Sequence, residues 1–236
     1  PKQEEIVRAV LAGQDTLALL PTGGGKSLCF QVPALAMGKL CLVVSPLIAL
    51  MKDQVGRLKK LGVHARAIVS TMSAAEIDNA LESAALGKYA FLYVSPERLA
   101  SDMFLARLPR LPLGLIAVDE AHCISQWGYD FRPAYLKIGE VRAVRPEVPV
   151  IALTASATGT VVKDIMEKLS FKTPHVVRGS FRRPELTLWV SKGEDKQGRL
   201  LKVMQNVQGT SIVYVRERRS TTRIATLLTR HGVSAA

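Results

Sequence analysis

Two short stretches of this sequence carry side chains that can act on a phosphate. The first is "LALLPTGGGKSLCF" at 17–30. Gly23, Gly24 and Gly25 lack a Cβ, so backbone N–H groups in the run from Thr22 to Ser27 can approach phosphate oxygens. A helix starting at this turn adds free N–H donors and the positive end of its dipole. Lys26 has the reach for β- and γ-phosphates, and the Ser27 hydroxyl suits Mg²⁺. The strict phosphate-loop pattern has glycine where Leu20 stands, so "PTGGGKS" is a shorter variant of it. The second stretch is "LIAVDEAHCISQWGYDFRPAY" at 115–135. Its apolar run delivers Asp119 at the carboxyl end of a candidate strand, the end at which open α/β sheets bind ligands. Asp119 can complete a Mg²⁺ shell with Ser27, and Glu120 can orient a water or accept its proton. A lone Asp-Glu pair is often only a dipole-favoured helix start. Here it stands roughly 90 residues after a phosphate loop, in a chain of strands that fits that order.

Behind the acidic pair come His122, Gln126, Trp127, Phe131 and Arg132, although aromatic residues make up only 6% of the chain. Aromatic faces next to a basic side chain suit base stacking, and stacking is tolerant of sequence. The alternative is that the rings fill core between helices, which is the reading adopted for Tyr135. His122 is either a core histidine or a link from the phosphate site to the next motif.

Positioning these groups takes strands and helices in alternation. Strand candidates are 16–20, 40–45, 65–69, 91–94, 113–119, 148–154 and 211–215, rich in Val, Ile and Leu and bounded by Gly, Pro or Ser. Runs of this kind are buried on both faces, which implies a mainly parallel sheet. Helix candidates lie between them at 47–60, 73–86 and 158–169. The fold class is therefore α/β, with a doubly wound, mainly parallel sheet. A charged stretch with Gly and Pro interrupts the pattern. Residues 1–178 read as a first domain, 179–208 as a linker region, and 209–236 as the start of a second α/β domain.

The chain has 236 residues, 48% of them apolar, enough to bury a full core. No apolar run approaches the roughly 18 residues that cross a bilayer. The N-terminus lacks a signal peptide's apolar core and starts without Met, as if trimmed from a longer chain. Cys29, Cys41 and Cys123 are far apart, so neither a zinc site nor a disulfide framework is expected, and a reducing cytoplasm suits them. Net charge is +12. Residues 178–236 hold twelve Lys/Arg against four Asp/Glu, so the excess is concentrated there. A basic surface of this kind favours nucleic acid first and anionic membrane second.

Taken together, these motifs resemble those of a superfamily-two helicase, and specifically the RecQ family of DNA helicases. "PTGGGKSLCFQVPAL" resembles motif I, "VVSPLIALMKDQV" motif Ia, "YVSPERL" motif Ib and "VDEAHCISQWGYDFRPAY" motif II with its aromatic loop. "ALTASAT" resembles motif III and "IVYVRERRS" motif IV. The aromatic extension is the specific signal, since the phosphate loop is common to many ATPases. The resemblance implies a RecA-like first domain followed by the start of a second, ATP and Mg²⁺ as cofactors, and single-stranded and partly duplex DNA as partners. It implies 3′-to-5′ unwinding in DNA repair and recombination, inside the cytoplasm and with no membrane partner.

Residue by residue, the resemblance makes Gln3 the adenine-reading glutamine. It puts Ser45, Lys52, Gln54, Ser70, Thr71 and Arg98 on the DNA backbone. Thr154, Ser156 and Thr158 would join the acidic pair to the DNA side, with Thr158 also placed to cap a helix. Arg218 is either near the nucleotide cleft or a solvated helix start. In "FRRPEL" Arg182 and Glu185 depart from the family's linker pattern. The family's motifs V and VI would follow Ala236, so this chain alone is expected to bind nucleotide and DNA weakly and to unwind little. An RNA helicase with the same ATPase core and a non-catalytic nucleic-acid-binding fragment are the alternatives.

Overall fold

In the computed structural model the described residues are 2–180 and 186–236. They divide into two compact units, 1–183 and 184–236.

Seven strands of the first unit form one sheet: β1 (Thr16–Leu19), β2 (Leu40–Val44), β3 (Ala65–Ile68), β4 (Phe91–Val94), β5 (Leu113–Val118), β6 (Val150–Thr154) and β7 (His175–Arg178). Their spatial order is β3-β4-β2-β5-β6-β1-β7. All six pairings are parallel. Successive residues of β2 serve opposite faces of the sheet. Leu40, Leu42 and Val44 join one buried cluster, while Cys41 and Val43 join the other. Burial on both faces is what a run such as "LCLVV" requires.

Helices cover both faces. α1 (Lys2–Leu11), α2 (Lys26–Met37) and α3 (Ile48–Lys60) send Ile6, Phe30 and Met51 into one cluster. α4 (Ala74–Ala85), α5 (Asp102–Arg107), α6 (Lys137–Val144) and α7 (Gly159–Lys168) send Leu81, Phe104, Ile138 and Ile165 into the other. Two starts are capped as their sequence suggests. Ser73 and Glu76 form a reciprocal capping box on α4, and the Thr158 hydroxyl accepts the Val161 N–H on α7.

At the amino end of the sheet a buried pair ties the layers together. The Asp15 carboxylate accepts from Arg142 Nη2 at 3.0 and 3.1 Å and from the N–H groups of Val150 and Lys172 at 2.9 and 2.7 Å. β7, absent from the strand candidates, has only two adjacent valines and sits at the edge beside β1. Its start is set by the His175 N–H donating to the Asp15 carbonyl, a contact no local pattern announces.

The second unit holds α8 (Lys196–Asn206) and α9 (Arg218–Arg230). α8 occupies a stretch expected as linker. Its start is fixed by Asp195, whose carboxylate accepts the Gly198 N–H at 2.8 Å. The strand candidate 211–215 forms no strand among the described residues, because it has no partner to complete its hydrogen bonds. Within this unit a cavity of about 480 Å³ is lined by Met204, Ile212, Val215, Ile224 and Leu228. Arg182 and Glu185, which depart from the linker pattern, lie outside the described residues.

Candidate functional site

The sheet order decides which motifs meet. β5, β6 and β1 are neighbours, so the loops leaving their carboxyl ends lie side by side. These are the acidic pair, "ALTASAT" and the Gly-rich loop. The loops leaving β2, β4 and β3 carry Ser45, Arg98 and Ser70-Thr71, and they continue the row on the other side of β5.

The Gly-rich turn needs its glycines. Gly23 and Gly25 have φ of +79° and +72°, left-handed conformations that glycine adopts without penalty. A Cβ on Gly24 would stand 2.9 Å from the Pro21 carbonyl oxygen, whose acceptor role toward the Gly24 N–H closes the turn at 3.0 Å. Gln3, reaching over from α1, donates to the Gly24 carbonyl at 2.9 Å, which places this glutamine against the loop. Thr22 is exposed, and Lys26 and Ser27 are half-buried in the first turn of α2.

Across from this turn, Asp119 ends its run at 8% exposure and Glu120 takes up a left-handed backbone with φ of 47°. A non-glycine residue there costs about 1–2 kcal/mol, so the surrounding structure imposes it. The Glu120 carboxylate lies 3.9 Å from Lys26 Nζ, bridging the two motifs. Asp119 accepts the Ser45 hydroxyl at 3.3 Å and the Glu120 N–H at 3.0 Å. Burial, and next the Glu120 charge, push the Asp119 carboxyl above its ordinary range. Two carboxylates held together against desolvation, opposite a glycine cradle with a lysine, fit a divalent cation carrying a polyphosphate.

His122 is buried, and desolvation lowers its pKa, so the ring is neutral near pH 7. Its Nδ1 lies 2.8 Å from Thr154 Oγ1 and 3.4 Å from Glu120 Oε2. Thr154 in turn exchanges contacts with the Ser156 backbone at 3.2 Å, and its carbonyl accepts the Leu20 N–H at 3.1 Å. The three neighbouring loops are thus one hydrogen-bonded network. Tyr135, read as core, is fully buried and also donates to the Asp119 carbonyl at 2.9 Å.

The aromatic loop turns outward. Trp127 and Tyr129 are 74% and 78% exposed, Gln126 is exposed, and Phe131 and Arg132 are half-buried. Tyr129 stacks on His122 with ring centres 4.5 Å apart. Arg132 pairs with Asp130 at 2.9 Å, a partner two residues away that the sequence reading passed over. His122, Cys123 and Asp130 also bring ligand atoms within 4.8 Å of one another. Asp130 is committed to Arg132, and burial pushes the Cys123 thiol up to about 12, so this grouping is poorly suited to a metal.

Two residues expected on a DNA backbone have side-chain partners inside the first unit. Ser45 is 2% exposed, its hydroxyl is on Asp119 and its N–H is taken by the Val94 carbonyl, because β2 packs between β4 and β5. Gln54 accepts the hydroxyl of buried Tyr93 at 3.0 Å. Lys52, Ser70 and Thr71 are exposed and Arg98 is half-buried, all in the first unit. Arg218 is exposed at the start of α9 in the second.

The family profile for DEAD/DEAH box helicases matches residues 1–165. A probable ATP-dependent DNA helicase RecS of Bacillus subtilis is 44% identical over 90% of this chain and 43% of its own length. An ATP-dependent DNA helicase RecQ of Haemophilus influenzae is 41% identical over 99% of this chain and 38% of its own. A putative ATP-dependent RNA helicase R290 of Acanthamoeba polyphaga mimivirus is 40% identical over 99% of this chain and 43% of its own. The chain therefore spans about two fifths of the length of these relatives. Among solved structures, the DUF1998 helicase MrfA superposes with a TM-score of 0.73 at 18% identity, over 98% of this chain and 38% of that one, a likeness of fold. Among the described residues, no helix is long and apolar enough to cross a membrane.

Proposed function

Because the chain belongs to the DEAD/DEAH box helicase family, we propose that it forms the ATP-binding part of a RecQ-type DNA helicase, which couples hydrolysis to 3′-to-5′ movement along single-stranded DNA and to strand separation in repair and recombination. The observation that carries this reading is the junction of Lys26 with Glu120 and of Ser45 with Asp119, along the carboxyl ends of one parallel sheet.

In this reading the N–H groups from Thr22 to Ser27 hold the phosphates, and Gln3 meets the base while bracing the turn. Lys26 neutralises charge on the γ-phosphate side. Ser27 and Asp119 hold Mg²⁺, which withdraws charge from the phosphate oxygens when bound. Glu120 orients the attacking water and takes its proton. Ser45 belongs to this set as a donor that keeps Asp119 in place. His122 and Thr154 pass the state of this site to Ser156 and Thr158, and to the aromatic loop through the Tyr129 stack. Gln126, Trp127, Phe131 and Arg132 meet the DNA strand, and Lys52, Ser70, Thr71 and Arg98 meet its phosphates. Phosphate contacts of that kind position the strand without reading sequence.

The test is ATPase activity with and without single-stranded DNA in Trp127→Ala and Phe131→Ala. Base stacking worth roughly 1–3 kcal/mol predicts a loss of DNA stimulation of about fivefold or more with the DNA-free rate retained. Unchanged stimulation in both variants would refute the coupling. The mimivirus relative favours a second reading, RNA as the activating strand. Stimulation by poly(dT) compared with poly(U) separates the two.

A further inference from the structure

The Trp127 ring is in solvent, yet the backbone that carries it is held firmly. Ser125 is fully buried, and its hydroxyl oxygen accepts the Trp127 N–H at 3.2 Å. The Asp164 carboxylate on α7 interacts with this hydroxyl. Lys168, one helical turn further on, lies 3.0 Å from Asp164 Oδ2 and donates to the Ile124 carbonyl at 3.5 Å. On the other side of the tryptophan, the Gly128 N–H donates to the Ser125 carbonyl at 3.0 Å. A Cβ at Gly128 would lie 2.6 Å from the His122 carbonyl oxygen, so the turn is pressed against the segment that follows the acidic pair. An exposed indole needs none of this for stability. Fixing an exposed ring lowers the entropy lost when something stacks on it.

We propose that Asp164 is a positioning residue for the aromatic loop: through Ser125 it fixes the Trp127 backbone N–H and so presents the indole for stacking, with Lys168 holding the same strand of loop at Ile124. Neither residue belongs to the set assigned to nucleotide or DNA. Their helix is anchored at its other end by the Thr158 cap, which follows Ser156 and the Thr154–His122 contact. One rigid element therefore joins the phosphate-side network to the platform under Trp127. The stacking role rests on the reading of the loop as a nucleic-acid contact, while the positioning does not.

The chain contains two tryptophans, Trp127 and Trp189. In a Trp189→Phe background the fluorescence of Trp127 alone reports on the loop. Asp164→Ala is expected to lower the anisotropy of Trp127 and raise its quenching by acrylamide. A (dT)12 titration followed by the same emission should need about tenfold more oligonucleotide for half-saturation. Asp164→Asn keeps an acceptor for the Ser125 hydroxyl and is expected to restore most of both signals, which a role confined to overall stability would not do. Ser125→Ala gives the same readout should Asp164→Ala fail to fold. Unchanged anisotropy in a folded Asp164→Ala and in Ser125→Ala overturns the proposal. A fall in anisotropy with unchanged oligonucleotide binding keeps the positioning and instead refutes the nucleic-acid reading of the loop.

Discussion

"LCLVV" at 40–44 and "SIVYV" at 211–215 are equally good strands on paper, yet they meet different fates. The first is β2, paired on both sides and buried throughout. The second pairs with no strand among the described residues, and Ile212 and Tyr214 are 75% and 89% exposed. An apolar β-branched run is a demand for neighbours, and it becomes a strand only where hydrogen-bonding partners and two covered faces are supplied. The first unit supplies six pairings and two apolar clusters. In the second, Leu228 is the one hydrophobic residue that reaches full burial among those described. Helices fare better than strands there, because α8 and α9 satisfy their backbone within the segment.

This contrast can be attacked most strongly at Asp15 and Arg142. Removing one member of a buried ion pair typically costs about 3–5 kcal/mol. Arg142→Ala is therefore expected to bring the largest fall in the denaturation midpoint of the first unit. A midpoint close to that of the parent would mean the pair is not what holds β1, β6 and β7 together. Next come matched truncations in the two units. Leu17→Ala, in fully buried β1, should cost about 2–5 kcal/mol. Ile212→Ala, in the exposed run, should stay within about 0.5 kcal/mol. Equal losses in a chemical denaturation series would erase the distinction between the units.

Smaller effects sharpen it. Thr158→Ala removes the cap of α7 and should cost about 1 kcal/mol in a thermal melt. Asp119→Asn should act in the opposite direction. Its carboxyl binds a proton more tightly folded than unfolded, so ionising it works against the fold. That cost is absent below the ordinary value of 3.8 and in force once the pH passes the raised folded value. The variant should melt slightly higher near pH 7 and lose the gain on acidification. A lower midpoint at neutral pH would show that the hydrogen bonds from Ser45 and Glu120 outweigh the desolvation.

Much of the site was readable because its chemistry is local. The glycines, Lys26, Asp119 and Glu120 announce themselves by type and spacing, and the strands that carry them are long apolar runs. The aromatic loop was readable for the same reason. The internal partners of Ser45 and Gln54 were not readable, because Asp119 and Tyr93 lie 74 and 39 residues away. Nothing within a window around Ser45 says that β2 packs beside β5. Asp164 and Lys168 were passed over for the same cause, since "VVKDIMEK" alone is an ordinary amphipathic helix. β7 is short, and its place depends on Asp15.

The sequence by itself determined the class of fold, the glycine-rich turn with its lysine, and the acidic pair with its aromatic loop, because hydrophobic period and reactive residue type are properties of neighbours in the chain. The tertiary structure alone decided the strand order, and with it which carboxyl ends stand together. It also decided that Ser45 bonds Asp119, that His122 meets Thr154, and that 211–215 forms no strand among the described residues. Those outcomes depend on which distant segments fill each other's hydrogen bonds and exclude water, and no stretch of chain carries that information alone.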